Sequence, residues 1–156
     1  MINVNLLKLI CETPGTSGFE QRIRELILQE VTPLADDVQV DAMGNVVAIK
    51  KGKADKRVMV AAHMDEIGFI VTHIDDDGFI RFHTLGGFDP KTLTSQRVII
   101  HGKEDVIGVM GCKPIHLMKA EERSTAMPIE EYYIDTGRKK EEVEELIAVG
   151  APITRQ

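Results

Sequence analysis

The sequence predicts an α/β protein built in two parts, the opening of a sheet domain followed by a small β-barrel-like module. Three observations carry that reading. Apolar residues recur at helical spacing as far as Leu34 and alternate at strand spacing afterwards. A short, nearly continuous apolar run, Val58 to Ala62, stops at the polar cluster His63-Met64-Asp65-Glu66. From Ile67 onward, short strand patterns follow one another, separated by tight turns rich in Gly and Asp.

Leu6, Leu7 and Ile10 fall one turn apart and predict a first helix, which Thr13-Pro14-Gly15 ends. Ser17 is placed to cap a second helix, with Glu20 completing a capping box. That helix carries Ile23, Leu26, Ile27, Val31 and Leu34 on one face and Glu20, Arg24, Glu25 and Gln29 on the other, and Pro33 loosens its end. Val38 to Asp41 and Asn45 to Lys50 alternate around Met43-Gly44-Asn45, which reads as a hairpin. Arg57 to Ala62 then reads as a central strand buried on both faces. Polar groups just past such a strand are where open α/β sheets place their chemistry.

Ile67 to Ile74 and Phe79 to Leu85 flank Asp75-Asp76-Asp77-Gly78, a hairpin signal. Gly86-Gly87 and Pro90 interrupt, and Arg97 to His101 and Val106 to Gly111 are two more strands around residues 102–105. Short strands at this spacing suit a small barrel or a sandwich. A polar stretch to Glu131 precedes a strand at Tyr132 to Asp135 and a helix from Arg138 to Ala148, whose glutamates read as a solvated face. Pro152-Ile153-Thr154 begins another strand.

The composition narrows the function classes. Of 156 residues, 43% are hydrophobic and 28% charged, the balance of a soluble globular protein. Asp and Glu outnumber Lys and Arg by 25 to 19, with the signs interspersed, so there is no basic stripe and no nucleic-acid partner is expected. No apolar run reaches a membrane span, so no membrane partner is expected either. The two cysteines, Cys11 and Cys112, lie far apart in no paired motif. They are expected as buried apolar thiols in a reduced, cytoplasmic compartment, with a disulfide left open.

His63 and Asp65 are the candidate site residues. In an extended chain, residues i and i+2 point to the same side, so the imidazole and the carboxylate can meet at one point. The carboxylate can equally orient the imidazole from behind. A His-x-Asp pair alone is weak evidence; its place at the end of a buried strand strengthens it. His73, His83 and His101 read as ordinary strand residues, and Asp75 to Asp77 lack the spacing of a calcium loop.

The segment Ala61-Ala62-His63-Met64-Asp65-Glu66-Ile67-Gly68-Phe69 resembles the signature of the di-metal aminopeptidases of the tetrahedral and glutamyl aminopeptidase type, whose members were often catalogued as endoglucanases or cellulases. Four further segments match in order. They are Gly15 to Glu20, Asp41 to Asn45, Gly111-Cys112-Lys113-Pro114-Ile115-His116, and Tyr133 to Gly137 before a Glu-rich helix. The resemblance implies that residues 1–66 are the N-terminal part of a catalytic, zinc-aminopeptidase-like sheet domain. Residues 67–150 would be a β-rich oligomerisation insertion, and 151–156 the start of the return to the catalytic domain. It implies that His63 is a ligand of one metal, that Asp65 is the catalytic-site carboxylate orienting it, and that His116 has a packing role. It also implies two divalent ions, zinc or cobalt, short peptides as substrate, and homo-oligomers formed through the insertion.

The family's other ligands and its Glu-Glu pair would lie beyond the insertion. Glu121-Glu122 and Glu130-Glu131 match an ordinary linker there. The chain is therefore expected to bind metal poorly and to be inactive alone. The rival reading is a non-catalytic dimerisation module derived from such an enzyme. A carbohydrate-cleaving enzyme is disfavoured, because no pair of carboxylates flanks a site.

Overall fold

The structure, a computed structural model, describes residues 3–119 and 127–156. They fall into two compact units, one ending at Glu66 and one running from Ile67 to Gln156.

The first unit opens with helix α1 (Val4–Glu12), started by Asn3, whose side chain accepts the Leu6 N–H. No residue of α1 is buried. Helix α2 (Gln21–Val31) is started by Glu20 rather than Ser17. Glu20 turns its carboxylate back to the Gly18 N–H at 2.6 Å, so the expected capping box does not form. Ile23 and Leu26 are the buried positions of α2, while Leu34 lies in a short 3-10 turn and is exposed. Strands β1 (Asp37–Val40) and β2 (Val46–Ile49) form the expected antiparallel hairpin. At its tip the Asp41 carboxylate accepts the N–H groups of Met43 and Asn45 and the Asn45 side-chain amide, while Gly44 takes the positive φ that the turn demands.

The run from Arg57 to Ala62 departs from expectation. It joins no ladder among the described residues, and Val58, Met59 and Val60 are 89%, 87% and 93% exposed. Composition encodes a preference for burial, but a central strand exists only where flanking strands take up its N–H and C=O groups. The described residues hold none that does.

The second unit is a closed six-stranded barrel in the order β3-β4-β7-β6-β5-β8. Its strands are β3 (Gly68–Ile74), β4 (Ile80–Leu85), β5 (Arg97–His101), β6 (Asp105–Gly111), β7 (Tyr133–Asp135) and β8 (Pro152–Arg155). Pro152–Arg155, expected to begin a return to the sheet domain, instead closes the barrel by pairing with both β3 and β5. Closure leaves no unpaired edge, which is the physical reason this terminal strand docks there. Thr72 is the extra residue of a bulge, because Val71 faces Phe82 while His73 faces Arg81.

The barrel interior holds Phe69, Val71, Ile80, Phe82, Val98, Ile100, Val106, Met110, Ile134 and Ile153. Helix α3 (Lys140–Leu146), shorter than expected at both ends, adds buried Val143, and Ile147 just beyond it joins the same core. Along β6, Val106, Gly108 and Met110 are buried while Ile107 and Val109 stand outside, the alternation of a half-buried strand. Gly108 is glycine because a Cβ there would collide with Ile134 Cγ2. Cys11 and Cys112 are both free, and Cys11 is exposed rather than buried, since it sits on helix α1, which buries nothing.

Two outcomes follow from this packing. Gly108→Ala, read by urea denaturation, should destabilise the barrel by about 1–3 kcal/mol through overpacking, whereas Ile107→Ala outside should change little. The second concerns acid. The Asn45 side-chain amide and backbone N–H groups hold the Asp41 carboxyl below its ordinary value. A depressed carboxyl adds stability that is complete above its unfolded value, about pH 4, and is lost as pH falls through the lower folded value. Amide exchange at Asn45 should therefore speed up in that acid window, and Asp41→Asn should abolish the dependence.

Candidate functional site

The polar cluster after the 57–62 run is a shallow, open corner. His63 Nδ1 lies 2.9 Å from the Asp65 carbonyl oxygen and 3.0 Å from Asp65 Oδ1. Both are acceptors, so Nδ1 has to be the ring nitrogen that carries the proton. The lone pair then sits on Nε2. The His63 side chain is 85% exposed and the Asp65 side chain 39% exposed, so Nε2 is presented outward. An imidazole with one nitrogen pinned by a carboxylate and the other free is the form in which histidine ligates a metal.

One such nitrogen does not make a centre. Among the described residues, no group of three His, Cys, Asp or Glu side chains comes together as a cation site. A catalytic zinc takes three protein ligands. The donor chemistry at His63 fits one ligand position of a metal centre and no more.

The other sequence-level candidates fall apart spatially. His73, His83 and His116 are exposed, and His116, expected to pack, lies in a one-turn 3-10 segment. Asp75 serves the hairpin turn, its Oδ1 accepting the N–H groups of Asp77 and Phe79. Glu130 and Glu131 sit in a short exposed 3-10 turn, and the α3 glutamates lie on its solvated face. Glu121 and Glu122 lie outside the described residues.

Two arrangements were not legible in the sequence. His101 is nearly enclosed, its side chain 8% exposed, with Nδ1 2.8 Å from Asp105 Oδ1 and Nε2 2.9 Å from Thr154 Oγ1. The His101–Asp105 spacing across the β5–β6 turn could have signalled the first contact; nothing local could have signalled Thr154, which the barrel brings in from β8. It is a clasp joining three strands. The second is the contact of Glu66 with the Gly15-Thr16 loop. Glu66 N–H donates to the Gly15 carbonyl at 2.8 Å, and a parallel bridge pairs Thr16 with Glu66.

Comparison with known proteins gives this corner a context. Residues 44–156 match the family model of M42 glutamyl aminopeptidases. The lysyl aminopeptidase of Pyrococcus furiosus is 41% identical over 150 residues, covering 94% of this chain and 43% of the relative. The crystal structure of a TET aminopeptidase from a marine-sediment Thaumarchaeota archaeon superposes with a TM-score of 0.91 at 37% identity, covering 97% of this chain and 43% of that one. The TET1 peptidase of Pyrococcus horikoshii, which can assemble into a tetrahedron or a large octahedral shell, matches at 37% identity and a TM-score of 0.84, covering 98% and 46%. The chain thus spans less than half the length of these relatives.

The tautomer is directly checkable. In protein labelled with 15N-histidine, the His63 ring should show the Nδ1–H pattern, and Asp65→Ala should move it toward the mixture of an unconstrained imidazole; an Nε2–H ring in the unaltered chain would contradict the geometry.

Proposed function

The chain belongs to the M42 glutamyl aminopeptidase family, and we propose that it forms the N-terminal part of a metal-dependent aminopeptidase that removes N-terminal residues from short peptides. The observation that carries this reading is the His63–Asp65 corner, which presents Nε2 outward within the segment that resembles the family's signature. His63 would hold one of two divalent ions, zinc or cobalt, and Asp65 would fix its tautomer and direction. Such a pair of ions, when bound, clamps the attacking and leaving oxygens and generates the water nucleophile. The remaining ligands and the general base would come from other parts of such an enzyme, and residues 1–156 alone are expected to hydrolyse no peptide. The 57–62 run supports this division, because it has the composition of a central strand and finds no neighbouring strand among the described residues. No helix among the described residues is long and apolar enough to cross a membrane, which suits a cytoplasmic enzyme.

The barrel favours a second reading, a non-catalytic dimerisation module. It is closed and has its own core, and it shows apolar Ile107 and Val109 on the outside of β6. In the first reading the same surface builds contacts between copies of the enzyme.

Metal content and peptidase assays on two proteins separate the alternatives: residues 1–156, and the same chain extended by the part of the Pyrococcus furiosus relative beyond the match. The short chain should bind fewer than two ions and show no turnover. The extended chain should cleave, with His63→Ala abolishing activity and Asp65→Asn lowering it about 10–100-fold. Two tightly held ions in the short chain would overturn the ligand assignment.

A further inference from the structure

Among the described residues no strand supports residues 57–62, yet His63 and Asp65 keep a defined geometry. The contacts that anchor this end of the segment come from the next residue. The Glu66 N–H donates to the Gly15 carbonyl at 2.8 Å, and Glu66 Oε1 accepts the Gly15 N–H at 3.3 Å. Main chain and side chain of one residue thus close on both polar groups of a single glycine. Thr16 extends the contact as the partner of Glu66 in a parallel bridge, and is itself 1% exposed.

The glycine has a steric reason to be there. A Cβ on Gly15 would lie 2.5 Å from Ile23 Cγ2, on the buried face of α2, and 3.7 Å from the Met64 carbonyl. The loop is therefore a thin layer between α2 and residues 64–66. A two-point clamp against α2 fixes position and also rotation about the chain axis, which a single hydrogen bond would leave free.

We infer that Glu66 is a positioning residue: by clamping Gly15 it sets the backbone at residues 64–66 so that the Asp65 carbonyl and carboxylate both face His63 Nδ1. The inference rests on the reading of His63 as a metal ligand. Its consequence is that the free Nε2 is aimed by the Gly15-Thr16 loop and α2. Gln at position 66 keeps an acceptor for the Gly15 N–H. Asp is one methylene shorter and does not reach it, and Ala has no acceptor at all.

The test uses residues 1–156 with 15N-labelled histidine and no activity assay, so it can fail while the aminopeptidase reading stands, and the reverse. Glu66→Gln should keep the Nδ1–H pattern of His63. Glu66→Asp and Glu66→Ala should lose it, while the amides of Phe69 and Ile134 in the barrel stay unchanged. In a titration with cobalt ion alone, the concentration that half-broadens the His63 signals should rise about tenfold in Glu66→Ala and not in Glu66→Gln. Unchanged His63 shifts in Glu66→Ala, or a folded Glu66→Gln that behaves like Glu66→Ala, would overturn the proposal. Should Glu66→Ala and Glu66→Asp unfold the first unit, hydrogen exchange in the unaltered chain decides. The His63 ring proton and the Gly15 and Glu66 amides should open together, and a ring proton that exchanges independently of both amides refutes the clamp.

Discussion

Every backbone N–H and C=O removed from water has to find a partner, and that constraint shapes both units of this chain in opposite ways. In the barrel it is met by closure. The antiparallel register that sets Phe69 against Ile153 and Ile70 against Pro152 joins the last strand to the first, so no edge remains. Only then can one interior hold Phe69, Ile80, Ile100, Met110, Ile134 and Ile153 together, with Gly108 vacating the space that Ile134 fills. In the first unit the constraint is met by a hairpin and by a few bonds between separate segments, such as Glu66 N–H to the Gly15 carbonyl. The β1–β2 hairpin satisfies itself through its ladder and the Asp41 turn, whereas residues 57–62 run extended beside nothing among the described residues.

That difference determines what the candidate site can be. A metal centre needs several donors converging from separate elements, held by packing. Residues 63–66 emerge from a stretch without sheet neighbours among the described residues, and they are held by hydrogen bonds to the Gly15-Thr16 loop and by the Asp65 contacts with His63. The corner is well defined at one nitrogen, and the described residues bring no group of three donors together. The chain belongs to the M42 glutamyl aminopeptidase family and spans less than half the length of the relatives it matches.

The His101–Asp105–Thr154 clasp is the counterpart in the barrel. It has three groups in the linear hydrogen-bonded order of a nucleophile, a base and an orienting acid, yet it ties β5, β6 and β8 together in the wall of a closed barrel. Its imidazole is nearly enclosed, and both ring nitrogens are occupied by protein groups. At His63 one nitrogen is engaged within the chain and the other faces outward.

Local patterns were enough to locate most elements. The alternation at Val38–Val40 and Val106–Met110, the Asp75–Gly78 turn and the periodicity of Ile23 and Leu26 all describe interactions within a few residues, which a linear sequence carries. The same holds for His63 and Asp65, two positions apart. What the sequence could not settle depends on partners far along the chain. Ser17 is a capping residue by type, but the helix starts after Glu20, whose carboxylate accepts the Gly18 N–H instead of capping the helix. Pro152–Arg155 read as a strand by itself, and only the open edges of β3 and β5 decided that it belongs to the barrel. Val58–Ala62 had the composition of a buried strand, and only the tertiary structure showed it without neighbours. By itself the sequence determined which residues prefer burial, where the chain turns and which imidazole has a carboxylate at hand. Tertiary structure decided which of those preferences are met, because pairing and burial require a second surface that no local stretch contains.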